Sequence, residues 1–177
     1  MKNAANIALI GPTGAGKSSI GRMLAGALDL VPVELDREIE TLVGAPIPTI
    51  FAERDEAYFR DRESEALTQA LQRDGILLIT GAGAILRESN RALISSRAFV
   101  VHIDISVDEQ LRRLRKDHTR PLLQSPDRER ILRDMADVRG PLYQAISDLR
   151  FDGETYHSPK SACAQLLTSL SRRWTRP

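Results

Sequence analysis

The residues with the clearest chemical potential form one contiguous stretch near the N-terminus, Gly-Pro-Thr-Gly-Ala-Gly-Lys-Ser at positions 11–18. A short apolar segment at residues 7–10 precedes it, and an amphipathic segment follows it. Strand, glycine-rich loop and helix in this order are the context of a phosphate-binding P-loop. Glycine lets the backbone curl with positive φ, so that its N–H groups and those of the helix start can approach a phosphate. The stretch therefore predicts binding of a nucleoside triphosphate.

Two side chains of this loop can act on the phosphates directly. Lys17 can reach the β- and γ-phosphates, and the Ser18 hydroxyl is placed to bind Mg²⁺. Glycine-rich turns also make ordinary strand-to-helix connections, but the complete spacing with both of these side chains favours the P-loop. The predicted nucleotide-binding residues of the loop are Gly14, Ala15, Gly16, Lys17, Ser18 and Ser19.

A pair of carboxylates, Glu34 and Asp36, lies at the end of a second apolar segment, residues 31–35. Side chains two apart on a strand point the same way, so we expect both to face the phosphates. One could hold Mg²⁺ through water, and the other could accept the proton of an attacking hydroxyl. Asp36 could instead cap the helix that follows, and this alternative stays open at this point.

The elements that position these residues read as an α/β fold. Short apolar segments at residues 6–10, 31–35, 76–79, 99–103 and 149–151 predict five strands, and helical periodicity lies between them. This alternation is typical of a parallel sheet with helices on both faces, a three-layer sandwich. Pro32 indicates an edge strand, and the uniformly apolar third strand indicates a central one. Ligands of such folds bind beyond the carboxyl ends of the strands, where the P-loop, Asp36 and residues 81–83 would meet.

Three helical segments carry further expectations. Residues 49–71 show one continuous helical periodicity, and residues 127–148 are helical with an interruption at Gly140-Pro141. Residues 159–174 predict a closing helix. Residues 117–126 contain two prolines and no periodicity, which predicts a loop.

Composition excludes classes of protein rather than identifying one. A length of 177 residues fits a single domain, and 25 basic against 24 acidic residues give a net charge of +1, so we expect neither nucleic acid nor a membrane as partner. Cys163 is the only cysteine, which excludes an internal disulfide and fits a reducing compartment. No segment reads as a signal peptide or approaches the roughly 20 apolar residues of a membrane span. We expect a cytoplasmic monomer.

Six pieces of the chain, taken together, resemble the shikimate kinase family of the nucleoside-monophosphate-kinase structural group. In order they are GPTGAGKSSIGR, ELDREIE, IFAERDEAYFRDRE, TGAG, TRPLLQ and RGPLY, and they span nearly the whole length. The resemblance implies the P-loop kinase fold, with residues 1–177 as one kinase domain and a mobile lid at about 115–126. It implies Mg²⁺-dependent transfer of the γ-phosphoryl group of ATP to the 3-hydroxyl of shikimate, in chorismate and aromatic amino-acid biosynthesis.

The resemblance also implies roles for single residues. Asp36 matches the acid that holds the substrate hydroxyls near the attacking one, and Arg60 and Arg139 match arginines that bind the substrate carboxylate. The turn of Gly81, Ala82 and Gly83 matches a further part of the substrate site. Without the resemblance, Arg60 would be read as part of a salt-bridged helix face.

On the nucleotide side, Arg120 matches a catalytic lid arginine that closes over the phosphates. Arg113 matches an arginine that packs against adenine, and Pro159 matches a residue on the other side of the base. Planar guanidinium groups suit both carboxylates and phosphates, because they donate two parallel hydrogen bonds.

Two positions depart from the family's pattern. The family usually has Asp where this chain has Glu34, which moves a carboxylate expected to bind Mg²⁺ through water one methylene outward. It usually has Gly where this chain has Ala82, and because Ala reaches positive φ only at a cost, we expect negative φ there.

Two other functions remain open from the sequence. A gluconate-type P-loop kinase would share the loop, although the arginines at 60 and 139, which match the shikimate kinase pattern, argue against it. A non-catalytic ligand-sensing domain would explain Glu34 and Ala82 as decay, although Lys17 and Asp36 are both retained.

Overall fold

The computed structural model describes residues 1–115 and 127–177, and it places a parallel sheet between two layers of helices. The strands are β1 (Lys2–Asn3), β2 (Asn6–Ile10), β3 (Val31–Glu34), β4 (Ile76–Ile79), β5 (Ala98–Asp104), β6 (Leu149–Asp152) and β7 (Trp174–Thr175). The helices are α1 (Lys17–Ala27), α2 (Leu35–Val43), α3 (Ile47–Glu53), α4 (Glu56–Ala70), α5 (Glu88–Arg97), α6 (Val107–Arg113), α7 (Arg128–Ile146) and α8 (Pro159–Leu170).

The main sheet has five parallel strands in the order β3-β4-β2-β5-β6. This confirms the predicted five-stranded parallel sheet, with Pro32 on the edge strand β3 and β4 inside the sheet. In register, Ile7 of β2 lies between Leu77 of β4 and Phe99 of β5. The P-loop strand is therefore the middle strand of the sheet, and it is buried along its whole length.

Alternate residues of β2 face opposite layers of helices. Ile7 and Leu9 pack in one apolar core with α1 and α8, whereas Ala8 and Ile10 pack in a second core with α2, α4 and α5. A strand covered on both faces must be apolar at every position, which is why its sequence reads as a continuous run. The two cores confirm helices on both faces of the sheet.

The predicted helix at residues 49–71 was wrong in one respect, because the structure divides it into α3 and α4. The division follows from Asp55, whose side chain accepts a hydrogen bond of 2.8 Å from the backbone N–H of Tyr58 and so caps the start of α4. An Asp cap fixes its own residue in extended backbone, which ends the preceding helix.

The expected interruption of α7 at Gly140-Pro141 was also wrong, since the helix runs through Pro141. A proline ring clashes with the Cβ of the residue before it when that residue is helical, and Gly140 has no Cβ. The helix therefore continues past Pro141 and loses only the backbone hydrogen bond that the proline cannot donate.

The closing helix ends earlier than predicted, at Leu170, and Trp174 belongs to a strand instead. Strand β7 pairs in parallel with β1 to form a second, two-stranded sheet. The Trp174 indole N–H donates to the Ala4 carbonyl at 2.8 Å, and Lys2 forms an ion pair of 2.7 Å with Asp148. Both ends of the described chain are thereby tied to the main body.

The predicted loop at residues 117–126 and Arg120 within it lie outside the described residues, as does nearly all of the predicted lid. In the part of the chain that the structure describes, none of the helices combines the length and apolarity needed to cross a membrane.

Two glycines of α1 allow a matched test of how closely this helix packs on the sheet. A Cβ added to Gly21 would lie 2.7 Å from two carbon atoms of Ile79, whereas a Cβ on Gly26 would meet nothing within 4 Å. We expect Gly21→Ala to lower the free energy of unfolding by about 1–3 kcal/mol through overpacking. Urea denaturation followed by circular dichroism measures it.

Gly26→Ala is the control, because it makes the same chemical change on the exposed face of α1. It should raise the free energy of unfolding by about 0.5–1 kcal/mol, since alanine favours the helix over glycine. Equal effects of the two substitutions would contradict the close helix–sheet contact at Gly21.

Candidate active site

The P-loop connects the end of β2 to the start of α1 in the predicted way. Gly14 and Gly16 have φ values of 76° and 87°, and no described side chain caps the N-terminus of α1 at Gly16. Backbone N–H groups at such a terminus attract anions. The Lys17 side chain is buried and donates hydrogen bonds of 2.8 Å to the carbonyls of Gly11 and Pro12. The loop thus holds its own lysine beneath the place where phosphates would bind.

A cavity of about 310 Å³, here called the phosphate cavity, opens above this loop. Its lining residues are Thr13, Gly14, Ala15, Gly16, Lys17, Ser18, Ser19, Asp36, Thr80, Gly81, Ala82, Arg113 and Leu114. The structure therefore brings the P-loop together with Asp36 and with part of the predicted substrate turn.

Asp36 lines the phosphate cavity, but it lies on a different secondary-structure element from the predicted one. Strand β3 ends at Glu34 and α2 begins at Leu35, so Asp36 lies in the first turn of a helix rather than on a strand. The expectation that both carboxylates share one strand face was wrong, because no loop separates the strand from the helix. A carboxylate in a first turn is favoured by the helix dipole.

Glu34 lies outside the residues that line the phosphate cavity. Its carboxylate forms an ion pair of 2.8 Å with Arg22, which belongs to α1 one turn beyond Ser18. A role of Glu34 in holding Mg²⁺ through water stays a prediction. The carboxylate would have to keep its ion pair with Arg22 and also accept a hydrogen bond from a water bound to the ion.

The two glycines of the turn at residues 81–83 lie close to charged side chains of α2 and α4. A Cβ on Gly81 would lie 2.9 Å from Asp36 Oδ1, and a Cβ on Gly83 would lie 2.5–2.8 Å from the guanidinium of Arg60. Ala82 has negative φ, as expected, since Asp29 is the one non-glycine residue with positive φ among the described residues. The two glycines leave room for these charged groups as they are placed, and their own φ values are not positive.

Arg60 and Arg139 approach the same buried carboxylate from different helices. Arg60 on α4 forms ion pairs with Glu63 at 2.7 Å and with Glu56 at 3.1 Å. Arg139 on α7 acts electrostatically on Glu63 as well. Arg60 therefore satisfies both interpretations of its sequence, since it belongs to a salt-bridged helix face and also adjoins the predicted substrate turn.

Glu63 is a residue of this site that sequence reasoning missed. Its side chain is 2% exposed, and burial raises the pKa of its carboxyl, with Asp36 acting in the same direction and Arg60 and Arg139 opposing. A signal was present, because Glu63 occupies the buried stripe of α4 together with Phe59, Ala66, Leu67 and Ala70. A charged residue in an apolar stripe indicates a buried ionic partner.

A second cavity of about 400 Å³, here called the base cavity, adjoins the P-loop on its outer side. Arg113 of α6 and Pro159 of α8 both line it, as do Ala15, Gly16, Ser19 and Tyr156. The two residues predicted to flank adenine therefore face one cavity next to the P-loop. Their role in binding a base stays a prediction.

Four contacts fix the Arg113 guanidinium at the base cavity. It donates to Glu109 at 2.5 Å, to the Gly153 carbonyl at 2.7 Å, and to the carbonyls of Ala15 and Gly14 at 3.4 and 3.5 Å. The same Glu109 carboxylate accepts hydrogen bonds of 2.6 Å from Arg112. Hydrogen bonds from Arg112 hold the pKa of Glu109 at about 2, so this carboxylate stays ionised at neutral pH.

The described residues contain no group of three or more His, Cys, Asp or Glu side chains that could enclose a metal ion. Mg²⁺ in nucleotide enzymes usually keeps several waters and takes few protein ligands beside the phosphates. The Ser18 hydroxyl in the phosphate cavity, with Asp36 facing the same space, fits that kind of site.

Comparisons with known proteins point to one family. A family model described as Shikimate kinase matches residues 13–171, a range that contains every predicted site residue. A shikimate kinase of Stenotrophomonas maltophilia (strain R551-3) is 49% identical over 176 residues, covering 99% of this chain and 97% of that protein. One of Xanthomonas campestris pv. campestris (strain 8004) is 49% identical over 175 residues, covering 98% and 96%. A solved shikimate kinase from Acinetobacter baumannii in complex with shikimate is similar at TM-score 0.88 and 38% identity, covering 96% and 95%.

The contacts of Arg113 predict a function for Glu109 in nucleotide binding. Glu109→Gln removes the charge that orients Arg113, so we expect the dissociation constant for ATP to rise by roughly three- to tenfold, which corresponds to about 0.6–1.4 kcal/mol. Isothermal titration calorimetry with ATP measures this.

Glu129→Gln is the matched control, because Glu129 forms an ion pair at the same i,i+4 spacing with Arg133 on the exposed face of α7. This control should leave ATP binding unchanged. Unchanged ATP affinity in Glu109→Gln would mean that the guanidinium of Arg113 needs no carboxylate to orient it.

Proposed function

The chain belongs to the shikimate kinase family, and we propose that its residues divide that family's reaction between a nucleotide side and an acceptor side of one site. The reaction transfers the γ-phosphoryl group of ATP to the 3-hydroxyl of shikimate and yields shikimate 3-phosphate and ADP. It belongs to the biosynthesis of chorismate and of the aromatic amino acids.

On the nucleotide side, the P-loop N–H groups and Lys17 bind the phosphates, and the charge of Lys17 stabilises the γ-phosphoryl group as it leaves. This requires Lys17 to exchange its hydrogen bonds with the carbonyls of Gly11 and Pro12 for phosphate oxygens. Arg113 and Pro159 hold the adenine between them in the base cavity. Arg120 adds positive charge over the phosphates during transfer.

On the acceptor side, Asp36 orients the attacking hydroxyl and takes its proton. Arg60 and Arg139 bind the carboxylate, for which paired guanidinium groups are well suited. Gly81, Ala82 and Gly83 supply backbone N–H groups beside the substrate. Asp36 is more suitable as a base than Glu63, because Asp36 lines the phosphate cavity while Glu63 is buried beneath it.

Mg²⁺, bound with ATP, supplies charge neutralisation at the β- and γ-phosphates. Ser18 would hold it directly, and Glu34 would hold one of its waters. Glu34 is paired with Arg22 and lies outside the lining of the phosphate cavity, so its contact with the ion would run through a water.

One observation supports this proposal above the others. Lys17 and Asp36, which come from different elements of the fold, line the same cavity of about 310 Å³. A group that neutralises phosphate charge and a group that accepts a proton must share one space if a hydroxyl is to attack a phosphorus atom.

The reaction is tested by coupled measurement of ADP release with shikimate and, separately, with gluconate as acceptor. We expect ATP- and Mg²⁺-dependent turnover with shikimate and only background with gluconate. Lys17→Ala should lower kcat with shikimate by roughly 100-fold or more, since it removes charge stabilisation from the transition state. Turnover with gluconate alone, or with neither acceptor, would contradict the proposal.

The acceptor side makes its own prediction. Arg60→Ala and Arg139→Ala should each weaken apparent shikimate binding by about 2–5 kcal/mol, because the substrate carboxylate loses a charged partner. The KM for shikimate and the KM for ATP are measured for each variant. The KM for shikimate should rise, and the KM for ATP should change little.

Arg133→Ala on the exposed face of α7 serves as control and should leave both KM values unchanged. Weaker ATP binding in the Arg60 and Arg139 variants, with shikimate binding intact, would place these arginines on the nucleotide side.

A further inference from the structure

Tyr143 connects two parts of the acceptor side that the chain separates widely. It lies on α7 one turn after Arg139, and its side chain is almost fully buried at 3% exposure. Its hydroxyl donates a hydrogen bond of 2.5 Å to the Ala82 carbonyl. The last helix of the acceptor side is thereby attached to the turn that follows β4.

The same hydroxyl lies beside Arg139, and both side chains line one small cavity with Pro12 and Thr13. Arg139 acts electrostatically on the Tyr143 hydroxyl, and a phenol oxygen can accept a hydrogen bond while it donates one. Burial raises the pKa of Tyr143 to about 12, against the opposing influence of Arg139. The hydroxyl therefore keeps its proton at neutral pH and continues to donate it to Ala82.

The hydrogen bond from Tyr143 to the Ala82 carbonyl also orients the N–H of Gly83. A peptide unit is planar and trans, so a fixed Ala82 carbonyl also fixes the Gly83 N–H, which points the opposite way. Gly83 itself packs against the Arg60 guanidinium. One phenol oxygen is thus placed to orient the neighbouring Arg139 and, through the peptide, the Gly83 N–H.

The Tyr143 ring is held by His102 of β5. The two rings stack with centroids 5.0 Å apart and planes 28° apart. His102 is 2% exposed and pairs in register with Ile10, the residue before the P-loop. Burial lowers the pKa of His102, with Asp104 opposing and Arg150 and Lys17 lowering it further, so its ring is uncharged and offers a flat packing surface.

We propose that Tyr143 is a positioning residue that aligns Arg139 and the Gly83 N–H with the carboxylate of the acceptor. It does not touch the reacting atoms, and it acts through the two groups that its hydroxyl orients. This inference rests on the proposed function, because that function assigns Arg139 and the turn to the acceptor.

Tyr143→Phe removes one oxygen and retains the ring that packs on His102. We expect the KM for shikimate to rise by about tenfold, equivalent to about 1.4 kcal/mol, while the KM for ATP and the midpoint of thermal unfolding stay close to wild type. Tyr58→Phe is the control, because Tyr58 lies on α4 between Arg54 and Arg62 and away from both cavities. It removes a hydroxyl without changing either KM.

A double-mutant cycle separates positioning from general support of the fold. In the Arg139→Ala background, Tyr143→Phe should raise the KM for shikimate by no more than about threefold, because one of the two groups that it positions is gone. A full tenfold effect in that background would overturn the proposal. So would a change of less than twofold in Tyr143→Phe alone, or an equal rise in both KM values.

Replacement of Tyr143 by a difluorotyrosine gives a second test that does not depend on Tyr143→Phe folding. This residue has nearly the same size and a more acidic phenol, and burial raises its pKa as it does that of Tyr143. The KM for shikimate should rise in this variant as the pH passes the pKa of its phenol, which the ultraviolet absorbance of the phenolate measures, and it should not rise in wild type over the same range. A KM that does not change across that measured pKa would overturn the proposal.

Wild-type turnover distinguishes the two levels of inference. Absence of shikimate turnover in the wild-type protein would count against the proposed function itself. Normal wild-type turnover with an unaffected Tyr143→Phe variant would count against the role of Tyr143 alone.

Discussion

A buried ion pair between Arg60 and Glu63 is the interaction on which the acceptor side depends. The two side chains are 2.7 Å apart, and Glu63 is 2% exposed. Burial raises the pKa of Glu63, and the arginines beside it oppose that shift. Removing one partner of such a pair leaves an uncompensated charge, which costs several kcal/mol. The pair also holds Arg60 close to Gly83, which brings α4 to the substrate turn.

The two sides of the site differ in how much of them could be predicted from the sequence. The P-loop is contiguous, so its spacing alone predicted strand, loop, helix and the position of Lys17. The acceptor side is assembled from α2, α4, α7 and the turn after β4, and no local pattern relates residues so far apart. Arg60 and Arg139 were accordingly found through a family resemblance. Tyr143 was missed because Ala82 and His102 come close to it only in the folded chain. Glu63 was missed although its partner Arg60 and the apolar stripe around it lie on the same helix.

The errors in the fold have local physical causes as well. Strands β1 and β7 have two residues each, too few for an alternating pattern to be visible. The division between α3 and α4 depends on one Asp cap within a continuous helical periodicity. The sequence predicted that Asp36 faces the phosphates from a strand. The structure has it facing the phosphate cavity from the first turn of α2, because the chain passes from β3 into α2 without a loop. The five strands were predicted because burial on both faces requires continuous apolar runs.

The neighbouring strands β2 and β4 determine how the nucleotide side and the acceptor side are placed relative to each other. The P-loop begins directly after β2, and the substrate turn begins directly after β4, which is hydrogen-bonded to β2 in parallel register. Thr80 secures this junction, since its N–H and its hydroxyl both donate to the Leu9 carbonyl, at 3.1 and 3.0 Å. Phosphoryl transfer requires the attacking oxygen and the phosphorus to be held within a few tenths of an ångström of the productive geometry. Adjacent core strands can hold two loops that closely, because close-packed interiors deform little. Glycine at 81 and 83 then gives Asp36 and Arg60 the space to approach this junction, so the packing of the core determines how the acceptor meets the phosphate.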